Sequence, residues 1–128
     1  KKLRIFAFIG IIAMLFSACS KDEEFTIIGI WNVDKVTTTY YEDGVVVETE
    51  TELNAGKFEF KNDGVGIITV EGQPVAFTYT LSGNSLTIGA FGFQSVFTVT
   101  KKEPKSLHFF IIDEDEYGEE KTEFELSK

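Results

Sequence analysis

The chain has 128 residues, 12 Lys and Arg against 21 Asp and Glu, and a formal net charge of −9. That length holds one hydrophobic core and not two, and it lacks the clustered Lys and Arg that phosphate contacts require, which excludes nucleic acid as a partner. Thirteen Phe, four Tyr and one Trp supply more apolar surface than a disordered acidic tail carries, so a folded domain is expected.

Lys1, Lys2 and Arg4 precede an uncharged run from Ile5 to Phe16, a basic segment followed by an apolar one of signal-peptide length. The run is shorter than the roughly 20 residues that span a bilayer as a helix, and the small residues Ser17, Ala18 and Cys19 follow at once. Phe16-Ser17-Ala18-Cys19 resembles the lipobox of bacterial lipoproteins, in which cleavage before the cysteine leaves it as an acylated N-terminus; the family usually has Leu or another aliphatic where Phe16 stands. The resemblance implies residues 1–18 as signal peptide, Cys19 as the lipidation site, and an outer-membrane protein attached through lipid. Two or three acyl chains on one residue hold a protein stably where a single chain does not. Cys19 is the only cysteine, which removes disulfides, a Cys nucleophile and a cysteine zinc site from the mature domain. Ser20-Lys21-Asp22-Glu23-Glu24 resembles the acidic surface-export signal of some Gram-negative lipoproteins and reads equally as a solvated tether. Residues 19–26 are assigned to this tether and 27–128 to the domain.

Without residues 1–18, nine basic residues face 21 acidic ones and the charge is −12. From Phe25 onward the apolar periodicity is close to two, broken by Gly, Asn, Asp and Pro. Ile28 to Tyr41 reads as a long first strand. Glu42-Asp43-Gly44 turns it into Val45 to Leu53, with Glu48, Glu50 and Glu52 on one face and Val47, Thr49, Thr51 and Leu53 on the other. Lys57 to Lys61 and Val65 to Val70 flank Asn62-Asp63-Gly64, a hairpin signal with tolerant residues at both φ > 0 positions. Further strands are expected at Val75–Leu81, Leu86–Ala90, Val96–Thr100, Leu107–Ile112 and Lys121–Leu126. No helical period follows the signal peptide.

About eight to nine strands joined by short turns predict an all-β, single antiparallel up-and-down barrel, with a two-sheet sandwich as the alternative. Gly29-Ile30-Trp31 on the first strand, the hairpin Phe58 to Gly66 and the hairpin Phe77 to Ile88 resemble the lipocalin-like domains of small bacterial lipoproteins, over most of residues 27–127. In lipocalins the motif tryptophan plugs the closed end, often under an arginine of the last strand. Here the only arginine is Arg4, so the resemblance leaves that cation absent or supplied by a lysine such as Lys121 or Lys128.

Alternation places Trp31, Phe58, Phe60, Phe77, Tyr79, Phe97 and Phe109 inward, as a ligand-lining set or as a solid core. The shortness of the chain favours the filled barrel. Phe91-Gly92-Phe93 is a second candidate contact. His108 is the only histidine and has no matched nucleophile or second ligand, and no nucleophile elbow, phosphate loop or dinucleotide fingerprint occurs; no enzyme activity, cofactor or metal site is expected. Asp113 to Glu120 has calcium-loop spacing only in part, with Phe124 where a bidentate Glu is needed, and reads as a solvated turn. The expected function is a binding module for a small apolar or amphipathic ligand. The alternative is an interaction or inhibitor scaffold whose acidic outer face meets a basic protein.

Overall fold

The computed structural model describes residues 23–128. Eight strands run in chain order around a closed antiparallel barrel: β1 (Gly29–Glu42), β2 (Val45–Phe60), β3 (Val65–Val70), β4 (Gln73–Ser82), β5 (Ser85–Ala90), β6 (Phe93–Glu103), β7 (Ser106–Asp115) and β8 (Gly118–Ser127). Each pairs with its sequence neighbour, and β1 closes against β8 from Asn32 opposite Ser127 to Tyr41 opposite Glu119. The expected barrel is therefore the fold, and the sandwich is not.

The turn chemistry explains the meander. Asp43-Gly44, Glu71-Gly72 and Phe91-Gly92 each have both central residues at positive φ, 50° and 78°, 51° and 77°, 54° and 80°, the type I′ pattern whose twist matches the flanking strands. Asn62-Asp63-Gly64 differs from the expectation of two positive φ angles: only Gly64 is left-handed, at 78°, and the Asp63 carboxylate accepts from the Val65 amide at 3.2 Å.

Eight strands form where the sequence suggests as many as nine, because Val45–Leu53 and Lys57–Phe60 are one strand. Asn54 (φ 53°) and Gly56 (φ 136°) do not turn the chain; they make a bulge where the β1–β2 register shifts between Val33 and Lys35. A bulge adds residues to one strand and increases its twist without ending it.

The fully buried residues form one cluster inside the barrel, including Trp31, Val33, Phe58, Phe60, Phe77, Leu86, Leu107, Phe109 and Leu126. Phe58 lies at the centre, 5.6 Å from Phe60, 5.8 Å from Phe77, 6.0 Å from Phe109 and 6.3 Å from Phe124 between ring centroids. Most of these contacts are edge-to-face, the arrangement favoured by the ring quadrupoles. Gly66 makes room for this packing, since a Cβ there would stand 2.3 Å from Cζ of Phe77.

One end is sealed. Trp31 is fully buried and its indole N–H donates to the Ile27 carbonyl at 2.8 Å, while Phe25 lies over it at 6.3 Å. The Lys128 ammonium sits 4.5 Å from the centre of the Trp31 ring and donates to the carbonyls of Thr26 (3.2 Å) and Ile28 (3.0 Å). Of the two lysines open from the sequence, Lys128 is the one over the tryptophan; Lys121 lies over Phe110 at 4.7 Å.

The barrel wall has unequal height. β1 and β2 have 14 and 16 residues, β3 and β5 only six each. β2 pairs with β3 only through Lys57–Phe60, and β7 pairs with β6 only as far as Phe110. Above those points the strands β2, β1, β8 and β7 continue as a four-stranded sheet beyond the short wall β3–β6, at the end opposite Trp31.

Candidate functional site

The candidate site is the open end of the barrel, and register defines which residues face it. Val36 is opposite Phe124, which is opposite Phe109, and all three pack toward the core. Because side chains alternate along a strand, Thr38, Tyr40, Thr122, Glu120, Ile111 and Asp113 follow on the same face of the extension. On β2, Glu52 is opposite Val36, Glu50 opposite Thr38, and Glu48 opposite Tyr40. The three glutamates are exposed, as the sequence suggests, yet they lie on the face continuous with the barrel interior and not on its outer side. They are wet because no opposite wall stands at that height.

Electrostatics agrees with this placement. The Tyr40 hydroxyl is held above its ordinary pKa of 10.0, first by the Glu50 carboxylate, then by burial, then by Glu120 and Glu48, since neighbouring negative charge disfavours phenolate. The ion pairs of β1, β7 and β8 lie on the other face: Lys35 with Glu125 at 3.5 Å, Lys121 with Glu123 at 3.4 Å, and His108 with Glu125 at 4.0 Å. Among the described residues no cation faces Glu48, Glu50, Glu52, Glu120 or Asp113.

Below the acidic rim is an apolar floor. Val36, Ile68, Ile88, Ala90, Phe97 and Phe124 pack on the core but are only half-buried. Each lies on its strand beyond the buried residues, toward the end opposite Trp31, unlike the half-buried Tyr79 and Leu81 at the other end, so these six side chains separate the filled part of the barrel from solvent at the opening.

The aromatic set expected from alternation is brought together, and most of it is inaccessible. Trp31, Phe58, Phe60, Phe77 and Phe109 are between 0% and 4% exposed and fill the interior with each other. Tyr79 is half-buried toward the sealed end; its ring meets Phe60 at 4.9 Å, and its hydroxyl donates to the Lys61 carbonyl. Burial, and then Asp63, raise its pKa. Phe97 alone of the seven reaches the floor, at 5.3 Å from Phe109 and 5.9 Å from Phe124. Phe124, Ile68 and Ile88 were recoverable from the period-two pattern; Val36 was not, because the bulge at Asp34 puts it out of phase with Trp31 and Val33, and nothing local marks which inward residues stand nearest the opening. Cys19 lies outside the described residues.

Two other surfaces are formed. Phe91 and Phe93 are 82% and 78% exposed beside an open groove of about 440 Å³ lined also by Val65, Thr78, Gly89 and Gln94, with Phe93 opposite Ala90 and so on the floor's face. The Phe91-Gly92 link is a tight I′ turn and not a loose loop, and its Phe91 holds a left-handed conformation that bulky residues rarely adopt. On the wall of β7 and β8, an open cleft of about 310 Å³ holds Lys35, Thr100, His108, Glu123 and Glu125. Ser106 Oγ at 3.4 Å and Glu125 Oε1 at 4.0 Å both approach Nε2 of His108. A nucleophile–base–orienter relay needs its two partners on opposite ring nitrogens, so this trio lacks the relay geometry.

At the β7–β8 tip, Asp115 Oδ1 accepts from the amides of Tyr117 (2.8 Å) and Gly118 (3.0 Å), which commits one of its oxygens to the turn. Among the described residues no group of three His, Cys, Asp or Glu side chains is placed to hold a metal ion. No family model matches the chain, and no curated protein or solved structure is significantly similar to it.

Proposed function

We propose that the protein is an envelope lipoprotein, anchored in the outer membrane through lipid on Cys19, whose lipocalin-like barrel is a non-enzymatic binding module. Its ligand is a small apolar or amphipathic molecule that rests at the mouth on Val36, Ile68, Ile88, Phe97 and Phe124, above the filled interior. The observation that carries this reading is the tier of half-buried, inward-facing apolar residues at the end opposite Trp31. Open barrel ends are recurrent ligand sites, and an apolar floor under a charged rim suits an amphipathic molecule. The described chain enters at the sealed end, where Phe25 covers Trp31, so a tether to Cys19 leaves the mouth facing away from the anchoring membrane.

The test is uptake of an environment-sensitive hydrophobic fluorophore by the full chain in mild detergent-free nanodiscs. Emission is expected to rise on binding and to fall when a competing amphiphile is added, and Phe97→Ser is expected to weaken uptake while circular dichroism stays that of the barrel. Absence of any emission change sinks the mouth as a small-ligand site. Anchoring is tested separately: Cys19→Ala is expected to move the protein from the membrane to the soluble fraction, and unchanged fractionation contradicts the lipid attachment.

A second reading, a protein-binding scaffold, is favoured by a different observation. The β2–β1–β8–β7 extension has unpaired edges and a face whose charged groups are all acidic, features that a small ligand does not use.

A further inference from the structure

We propose that the outer edge of β2 from Val45 to Leu53 is a strand-addition site for an extended basic segment of a partner protein, one with Lys or Arg at alternate positions. The inference rests on the protein-binding reading and is independent of a ligand at the mouth.

The first support is backbone hydrogen bonding. β2 is paired with β1 along nearly its whole length, from Val45 opposite Glu42 to Phe60 opposite Gly29. Its other edge meets β3 only from Lys57 onward. In an antiparallel pair, alternate residues turn their N–H and C=O groups away from the partner strand, so half of Val45–Leu53 offers an unused ladder. Such an edge is a template for another strand unless it is covered, broken or shielded by charge. This edge has no Pro and no Lys between Val45 and Leu53; the bulge at Asn54 and Gly56 comes after it, and a second register shift, which leaves Val47 without a partner between Glu48 (opposite Tyr40) and Val46 (opposite Tyr41), makes Glu48–Leu53 its regular stretch.

The second support is the side-chain pattern on its two faces. One face presents Glu48, Glu50 and Glu52 in successive positions; the other presents Val47, Thr49, Thr51 and Leu53, with Val47 53% and Leu53 66% exposed. A strand laid alongside places its own residues directly opposite these, alternately on the two faces. Three carboxylates on one face call for cations opposite, and β-branched or aliphatic residues suit the other.

Charge also excludes a second copy as the occupant. Self-pairing of β2 sets one row of glutamates against another on the same face, and like charges directly opposite oppose pairing. The free edge of β7 carries Asp113 and Asp115 in its unpaired stretch, so pairing it with β2 of another copy joins acid to acid. The shielding that prevents self-association is thus also what selects a basic strand.

The test uses the full chain and a nine-residue synthetic peptide alternating Lys with Thr or Val. A control peptide of equal composition has its lysines in one block, and two further peptides are N-methylated on the amides of one edge or the other. The alternating peptide is expected to bind, measured by fluorescence anisotropy at fixed ionic strength, and to protect amides of Val45–Leu53 from hydrogen exchange. One of the two methylated peptides is expected to fail and the other to bind. The triple variant Glu48→Gln, Glu50→Gln, Glu52→Gln is expected to weaken binding about tenfold or more with an unchanged circular dichroism spectrum. Equal affinity for the blocked-lysine peptide, equal binding of both methylated peptides, or no protection within Val45–Leu53 overturns the proposal. Concentration-dependent dimerisation through the same amides also overturns it, by making a second copy the occupant. Fluorophore uptake at the mouth reads the small-ligand site separately, and failure of one experiment leaves the other standing.

Discussion

Trp31→Ala is expected to leave the barrel unfolded or nearly so at room temperature. The indole is fully buried, its N–H donates to the Ile27 carbonyl at 2.8 Å, and Phe25 and the Lys128 ammonium lie over its ring. Truncating a buried Trp to Ala costs about 3–5 kcal/mol, and an Ile27 carbonyl left without its partner adds about 1 kcal/mol or more. Domains of this size have about 5–15 kcal/mol in total, so little remains. The measurement is urea denaturation followed by far-ultraviolet circular dichroism, because the variant lacks the only tryptophan. Lys128→Met is the informative comparison. It removes a cation–π contact at an exposed position and two hydrogen bonds to carbonyls, and is expected to cost about 1–2 kcal/mol with the fold retained. A Trp31→Ala midpoint close to that of the parent protein contradicts the role assigned to the sealed end.

Gly56→Ala is the second substitution expected to be severe. Gly56 has φ of 136°, and a Cβ built there stands 2.1 Å from the backbone oxygen of Thr69. The backbone conformation alone costs an L-residue about 1–3 kcal/mol, and the carbonyl in the way belongs to β3, so it moves only if the β2–β3 pairing moves. The expected result is loss of the Lys57–Phe60 ladder, with the Phe58 and Phe60 rings displaced from the interior and a much lower urea midpoint. Gly72→Ala separates the two causes. Its φ is 77° but nothing lies within 4 Å of the added carbon, so it bears only the conformational cost, about 1–2 kcal/mol. Similar midpoints for the two variants would show that the close approach to Thr69 is not what makes Gly56 necessary.

Most of the meander was legible because turns and alternation are local. Asp43-Gly44 and Glu71-Gly72 mark their own hairpins, and the inward positions of Phe58, Phe60, Phe77 and Phe109 follow from a period of two. Pattern and structure part where local chemistry has two outcomes. Asn54-Ala55-Gly56 resembles a turn, yet β1 runs alongside without a break, and pairing turns the irregularity into a bulge. Asn62-Asp63-Gly64 places one residue, not two, in the left-handed region because the Asp63 carboxylate caps the Val65 amide.

The site was less legible than the fold. Alternation separates Glu48, Glu50 and Glu52 from Val47, Thr49 and Thr51 but does not say which set shares a face with the core. That depends on the opposite strand: Glu52 faces the interior side because it is opposite Val36, and Val36 does so because a bulge near Asp34 restores its phase. Likewise, seven aromatics on one face read the same whether they line a cavity or fill it, and only the ring distances across the barrel distinguish the two.

The sequence by itself therefore determined an antiparallel meander with Trp31 on its first strand, an aromatic interior and an acidic domain without arginine, since each of these is a property of neighbouring residues or of composition. The tertiary structure decided three further things. It placed Lys128 over Trp31, a cation that reaches the Thr26 carbonyl across 102 positions of chain. It filled the interior. It also raised β2, β1, β8 and β7 beyond their short neighbours, leaving an apolar floor and an unpaired acidic edge. The physical reason is the same in each case: strand pairing and ring packing join residues distant in sequence, so exposure at a given position depends on whether the neighbouring strand is long enough to cover it.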